Sequence, residues 1–320
     1  MSFLWDAFDN LRRRAAVFLI RIVFNLVHIF AVRRDQQLAA NAYGASVETV
    51  HIPSSDPTDR TRTIKAHLYT PPSGPASPAS PKPVLVNWHG SGWTIPFHGS
   101  DVAFSARVAK ELDAYVIDAD YRKAPENPFP AALDDVKNVL DWVATHPERF
   151  DASRVAVSGA SAGGSLALIA ASTLRKSLKV DIKAVFAHYP VTDLSLQAED
   201  RVIRNPVDPL PPPVLELFYS NYISDVAMRK DPRVSPMYAK VEDYAPTVVI
   251  VACGGDTLSV EAKRLAERLD DGNRKVVKCV LEGMNHGYDI GARPGTKEWH
   301  SREEAHALAM DAFKESFGTR

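Results

Sequence analysis

From residue 63 onward, short apolar runs alternate with segments of helical period. Strand-type runs are read at Thr63–Tyr69, Val84–Trp88, Tyr115–Ala119, Val155–Ser158, Ala184–His188, Thr247–Ala252 and Lys275–Leu281. Helices are read near Asp101–Leu112, over Ala131–Thr145, Ser165–Leu174 and Ser259–Leu269, and near Arg302–Phe317. Alternation of this kind predicts a mostly parallel sheet with helices on both faces. The rhythm breaks between Thr192 and Tyr244, where Pro206, Pro209, Pro211, Pro212, Pro213 and several aromatics replace a clean strand. An insertion there, above the carboxyl ends of the strands, would act as a lid. Residues 71–83 are a Pro/Ser-rich surface loop, and no internal repeat is present.

The most apolar stretch is residues 15–32, AAVFLIRIVFNLVHIFAV. As a helix it would span about 27 Å, just short of a hydrocarbon core of about 30 Å. Arg14, Arg21, Asn25, His28 and Val32 recur at near-helical spacing, which predicts a narrow polar stripe on an otherwise apolar cylinder. The apolar residues, at roughly −0.3 to −0.6 kcal/mol each, offset a central arginine at roughly +2.5 to +3.5 kcal/mol, so membrane insertion comes out near neutral. Arginines at 12–14 and 33–34 flank both ends and remove any orientation signal, and no signal-peptide design is evident. The reading taken is a helix packed on the protein itself. Membrane-surface association through residues 15–32 and a true span are its alternatives.

Length and charge narrow the class. At 320 residues one α/β core with an insertion is expected, a catalytic domain plus a small cap. Lys+Arg at 38 against Asp+Glu at 39 give a formal charge of −1, so no global basic field points to nucleic acid, which is excluded as a partner. Cys253 and Cys279 each fall in an apolar strand-like run and read as small buried hydrophobes, with a disulfide between them left open. They offer no secreted-type framework, redox motif or metal spacing, and an intracellular compartment, cytoplasmic or at a membrane surface, is expected.

Chemistry enters at Gly159-Ala160-Ser161-Ala162-Gly163, a Gly-x-Ser-x-Gly turn between a short apolar strand and a helix-forming run. A serine on so sharp a turn needs small residues two before and two after it, and the following helix offers amides to negative charge. Serine also needs a base and a group that fixes the base's tautomer. Downstream, the run Thr247–Ala252 ends in Cys253-Gly254-Gly255-Asp256, and Lys275–Leu281 ends in Glu282-Gly283-Met284-Asn285-His286. Asp256 and His286 therefore stand in the chain order Ser, Asp, His, each after a strand. His188, beside Tyr189-Pro190, is the rival base, but it precedes the acid. Upstream, His89-Gly90-Ser91-Gly92-Trp93 follows the strand Val84–Trp88 and can offer backbone donors to an oxyanion, together with the amide of Ala162.

These motifs resemble the hormone-sensitive-lipase-like family of α/β-hydrolases, which includes microbial carboxylesterases and arylacetamide deacetylases. The family's His-Gly-Gly-Gly is similar to His89-Gly90-Ser91-Gly92, and its Gly-Asp-Ser-Ala-Gly-Gly to residues 159–164. Tyr121-Arg122-Lys123-Ala124-Pro125-Glu126, running on into Pro128-Phe129-Pro130-Ala131-Ala132, looks like the family's Tyr-Arg-Leu-Ala-Pro-Glu signature. Asp231-Pro232-Arg233-Val234-Ser235-Pro236 and Asp256-Thr257-Leu258, with Glu261 three residues beyond, match two more family segments. Two departures stand out: Ser91 replaces a motif glycine, and Ala160 replaces the usual acidic residue before the nucleophile.

The resemblance implies an α/β-hydrolase fold, a mostly parallel central sheet flanked by helices and topped by a helical cap. Residues 46–192 and 236–320 would form the catalytic domain and 193–235 the cap insertion. Residues 1–45 would be N-terminal helices of the cap, or membrane-associating. It implies Ser161 as nucleophile, His286 as base, Asp256 as acid, and the amides of Ser91, Gly92 and Ala162 as oxyanion hole. Trp93, Phe97, Phe218, Tyr219 and Tyr222 are candidates for the substrate pocket. The activity expected is hydrolysis of small-to-medium carboxylic esters through an acyl-enzyme, with an ester as the small-molecule partner and no cofactor or metal. The alternatives are a transacylase, amidase or lactonase on the same triad, and a non-catalytic small-molecule receptor on the same fold. Oligomeric state is not legible.

Overall fold

The computed structural model describes residues 2–318 apart from 45, 57 and 78, without the side chains of residues 2–13 and 198. One eight-stranded sheet organises it, from β1 (Ser46–Pro53), β2 (Thr63–Thr70), β3 (Lys82–Trp88) and β4 (Tyr115–Ala119) to β5 (Phe150–Ala160), β6 (Ile182–His188), β7 (Thr247–Cys253) and β8 (Lys275–Leu281). The spatial order is β1-β2-β4-β3-β5-β6-β7-β8. From β4 across to β8 every pairing is parallel, while β1 and β2 pair antiparallel at the edge. β7, Thr-Val-Val-Ile-Val-Ala-Cys, is buried along its whole length, as a central parallel strand covered on both faces must be. β2 instead alternates, because its outer face meets water.

The helices are α1 (Ser2–Tyr43), α2 (Val102–Leu112), α3 (Ala131–Ala144), α4 (Ala162–Ala170), α5 (Pro212–Tyr222), α6 (Ser259–Leu269) and α7 (Lys297–Phe317). α2 and α7 pack on one face of the sheet, and α3, α4 and α6 on the other. Two apolar layers result, and β3 feeds both: Val84, Val86 and Trp88 point to one and Leu85 to the other, by the two-residue period of a strand. α5 and several short 3-10 turns make up the insertion between β6 and β7. Both cysteines are free, Cys253 buried and Cys279 half-buried.

Several boundaries differ from the sequence reading for local physical reasons. β1 is an additional strand: Ser46–Pro53 is mostly exposed, so its sequence lacks the apolar density that marks a strand, and pairing with β2 supplies what composition does not. β5 begins at Phe150, and its polar start, Asp151-Ala152-Ser153-Arg154, hides it from an apolar count. α4 starts directly after Ser161, ahead of two glycines that lower intrinsic helix propensity. α7 starts at Lys297 in a polar stretch, where the Thr296 hydroxyl accepts a hydrogen bond from the Trp299 amide at 3.2 Å and caps it.

α1 is one long helix, and from residue 16 it is two-sided. Val17, Asp35 and Ala39 are buried, and Ile20, Phe24 and Val32 pack partly against the core. The Arg21 guanidinium donates to the carbonyls of Thr94 and Ala124, both at 2.9 Å, and forms a two-pronged pair with Glu126. Asp35 pairs with Arg302 at 3.3 Å in a buried contact. The expected polar stripe splits: Arg21 and His28 turn inward, whereas Arg14 and Asn25 lie on the exposed side.

Candidate active site

The site is built at the carboxyl ends of β3, β5, β7 and β8. β5 delivers Ser161 into a turn with φ 52° and ψ −120°, a left-side conformation that a non-glycine residue adopts only under strain of about 1–3 kcal/mol. Neighbours hold it there: the Ser161 amide donates to the His188 carbonyl at 2.9 Å, and the Ser165 amide donates to the Ser161 carbonyl at 3.0 Å. The flanking glycines have a steric reason. A Cβ on Gly159 would lie 2.4 Å from the Gly163 carbonyl, and one on Gly163 would lie 1.9 Å from the Trp88 carbonyl oxygen.

Asp256 sits in the turn after β7 and His286 in the loop after β8. His286 Nε2 is 2.9 Å from Ser161 Oγ, and His286 Nδ1 is 2.8 Å from Asp256 Oδ2. The Asp256 carboxylate is completely buried. A buried carboxylate on Nδ1 fixes the tautomer that leaves the Nε2 lone pair facing the serine hydroxyl, which is the arrangement general-base catalysis requires. The ring of Tyr189 meets that of His286 edge-on at 4.9 Å and holds the imidazole plane.

The loop after β3 approaches from the other side. Gly90 abuts the elbow, where a Cβ would come 3.2 Å from the Ala160 carbonyl oxygen. Among the described residues, the amides of Ser91, Gly92 and Ala162 donate to no acceptor in the protein, so all three are unspent donors. The Ser91 side chain, which departs from glycine, turns away: its Oγ lies 2.5 Å from Tyr121 Oη, and Tyr121 Oη donates to the His89 carbonyl at 2.8 Å. His89 is buried, stacks on Tyr121 at 4.9 Å and meets Asp120 at 3.3 Å. Burial holds the His89 imidazole below its ordinary pKa.

The rival base does not reach the serine. His188 is buried, with Nε2 3.0 Å from Tyr288 Oη, and burial pushes its pKa down to about 4. Its contribution to the elbow is through its backbone carbonyl.

Of the five pocket candidates, Phe218 has its ring so close to the loop after β3 that a Cβ on Gly92 would come within 2.7 Å. Trp93 stacks on Tyr222 at 4.4 Å with the planes 7° apart, and Tyr219 closes that cluster at 6.3 Å from Trp93. Tyr219 and Tyr222 belong to α5 and Trp93 to the loop after β3, so the cluster joins the insertion to that loop. Phe97 faces α1 instead, with the Phe24 ring 4.8 Å away. The insertion is tied down by Glu261 of α6, which accepts from the amides of Thr192 and Asp193 and pairs with buried Arg201. At its far end the Ser235 hydroxyl donates to the Arg229 carbonyl at 2.6 Å and accepts from the Leu194 amide at 2.8 Å.

Sequence reasoning gave no role to Tyr121, Tyr189, Arg201 or Arg21. Tyr121 carried a signal through its motif, but the others act through partners distant in sequence.

Comparison with known proteins adds an independent line. A family model described as the alpha/beta hydrolase fold matches residues 85–290. The carboxylic ester hydrolase LipN of Mycobacterium tuberculosis is 31% identical over 258 residues, covering 76% of this chain and 67% of its own. The ethyl acetate hydrolase of Pseudomonas putida is 32% identical over 232 residues, 71% of each chain. Among solved structures, the Pyrobaculum calidifontis esterase superposes with a TM-score of 0.79 at 26% identity, covering 94% of both chains.

Proposed function

The chain belongs to the hormone-sensitive-lipase-like family of α/β-hydrolases, whose members compared above hydrolyse esters, and from that premise we propose that it is a serine carboxylesterase using Ser161, His286 and Asp256. The observation that carries the reading is the continuous relay from Asp256 Oδ2 through His286 to Ser161 Oγ, at 2.8 and 2.9 Å.

In this reading Ser161 Oγ attacks the ester carbonyl carbon while His286 Nε2 takes its proton. The charge that develops on the carbonyl oxygen falls to the amides of Ser91, Gly92 and Ala162, each donor of this kind contributing about 2.7–4 kcal/mol. Collapse of the tetrahedral intermediate breaks the bond to the alcohol oxygen, which leaves with the proton from His286. Water, deprotonated by the same imidazole, then attacks the acyl-serine; the carboxylic acid departs and Ser161 recovers its proton. Asp256 holds the imidazole through Nδ1 and stabilises the imidazolium. No step calls on a metal or cofactor. Phe218 against the oxyanion loop, with Trp93, Tyr219 and Tyr222 packed behind, supports an acyl pocket for small-to-medium chains. The complete relay speaks against the receptor alternative, which has no use for a base aligned on a serine.

The test pairs hydrolysis of p-nitrophenyl acetate, butyrate, octanoate and palmitate with fluorophosphonate labelling, in the wild type and in Ser161→Ala. The variant is expected to lose labelling and about 10⁴–10⁶-fold in kcat with its fold intact. Labelling without turnover of any of these esters would move the reading to another acyl acceptor. A folded Ser161→Ala protein that still turns over esters at the wild-type rate would overturn it.

A further inference from the structure

A helix on the surface of a globular protein ordinarily presents charged and polar residues to water on the face opposite its packing stripe. α1 does the reverse between residues 15 and 30. Phe18, Leu19, Val23, Leu26, Val27 and Phe30 are 52–73% exposed on its outer face, and Asn25 is the polar residue among them. From Arg33 onward the same face turns polar, through Arg33, Gln36, Gln37 and Asn41. A contiguous apolar band of this size marks an interaction surface.

We propose that the outer face of α1 docks the protein onto the surface of an anionic phospholipid bilayer, with the helix lying in the interface plane. Three observations select this occupant. The band is aliphatic and phenylalanine side chains, without the Trp, Tyr or Arg that anchor protein partners. Arginines bracket it, at 12–14 before and 33–34 after, and residues 1–45 hold six arginines against three aspartates in a chain whose formal charge is −1. The excess of positive charge in this segment, with Arg33 exposed just past the band, complements anionic headgroups. Finally, the inner face is already committed. Arg21, midway along the apolar segment, is bonded to Thr94, Ala124 and Glu126; Arg34 donates to the Gly291 carbonyl, and Asp35 pairs with Arg302. A transmembrane pose would strip Arg21 of those bonds inside hydrocarbon, whereas an interfacial pose keeps every one of them.

The helix also bridges two loops of the site. Phe24 packs on Phe97 beyond the oxyanion loop, and Arg34 holds Gly291 beyond His286. A docked α1 therefore ties both of these segments to an element held at the lipid surface. The docking itself stands independently of the esterase reading, because it is measured by binding.

The experiment is flotation of the full chain with vesicles of phosphatidylcholine containing about one third phosphatidylglycerol, and with phosphatidylcholine alone. Wild type is compared with the triple variant Leu19→Gln/Leu26→Gln/Phe30→Gln, whose exposed positions leave the fold and the rate on soluble esters unchanged. Wild type should float with the anionic vesicles and more weakly with neutral ones, and the variant should lose about a hundredfold or more in partition. Wild-type protein that stays with the unbound fraction, or a variant that binds equally, overturns the proposal. So does a dimer in vesicle-free buffer that the triple variant abolishes, if vesicles are not bound. Depth is read from Leu26→Cys labelled with an environment-sensitive dye, in a Cys279→Ser background. Quenching stronger by headgroup-level nitroxides than by chain-end ones is expected, and the opposite order overturns the interfacial pose.

Discussion

Replacing Gly163 by alanine tests whether the elbow works by close approach of backbones. An ideal Cβ at that position falls 1.9 Å from the Trp88 carbonyl oxygen, 2.6 Å from the His89 carbonyl oxygen and 2.7 Å from the Trp88 carbonyl carbon. Ordinary contact lies near 3.5 Å, so the two segments must separate by about 1.6 Å at the closest atom. No rotamer change relieves this, because all three atoms are backbone at the end of β3, a strand paired on both sides to β4 and β5. Overpacking of this kind costs about 3 kcal/mol, the upper end of its usual range. With an unfolding entropy of about 0.7 kcal/mol/K for a chain of this length, Tm should fall by about 4–5 °C. Activity should suffer more. The residues displaced lead directly into Ser91 and Gly92, and moving an oxyanion donor by about 1 Å lowers kcat by about 10²–10³-fold, with a smaller effect on KM.

Steady-state hydrolysis of p-nitrophenyl butyrate and calorimetric unfolding measure both quantities. Gly164→Ala is the control. Its Cβ meets the Gly159 carbonyl oxygen at 3.0 Å and Pro190 Cβ at 3.1 Å, which small shifts absorb. Alanine also improves helix propensity there by about 1 kcal/mol, so the net change should be near zero. A Gly163→Ala enzyme with the wild-type kcat would refute the reasoning. Equal damage from both substitutions would refute it as well, since the clash would then not be what decides.

Two further perturbations read other parts of the molecule. Arg201→Met strands the Glu261 carboxylate without its buried cation and should lower stability by about 3–5 kcal/mol, seen as a shift of the urea midpoint at constant m; an unchanged midpoint would show that the pair contributes nothing. His188 is held neutral in the folded protein, with a pKa near 4 against an ordinary value of 6.5, so the unfolded chain binds the extra proton between those values and stability falls as pH drops through that window. Relative to wild type, His188→Gln should therefore gain about 2–3 kcal/mol on going from about pH 7.5 to about pH 4.5. A difference that does not vary with pH would place the titration elsewhere.

How much of this was legible in the sequence follows from how local each determinant is. Ser161, Asp256 and His286 could be placed because each follows an apolar strand in a turn whose glycines are visible within a few residues. Parallel topology followed from the same alternation of strand and helix. α1 could not be resolved in that way. Nearly every position from 15 to 32 is apolar, so hydropathy could not say which side would be covered, and the bonds that decide it join Arg21 to residues more than 100 positions away. β1 escaped because its order comes from pairing with β2 and not from its own composition.

The motif residues without a chemical role divide from those of the proposed triad along the same line. Tyr121 braces the loop after β3 through the His89 carbonyl, and Glu126 receives Arg21 of α1. Glu261 holds the start of the insertion through Thr192, Asp193 and Arg201, and Ser235 ties its end to Leu194. Each of these residues fastens a loop or helix near the cleft to another part of the fold. An α/β sheet presents its strand ends with little freedom, but the loops that donate amides and line the pocket have their own conformational entropy to lose. Letters that look chemically idle in the sequence are therefore where the order of the site is secured, and their meaning appears only once their distant partners are in place.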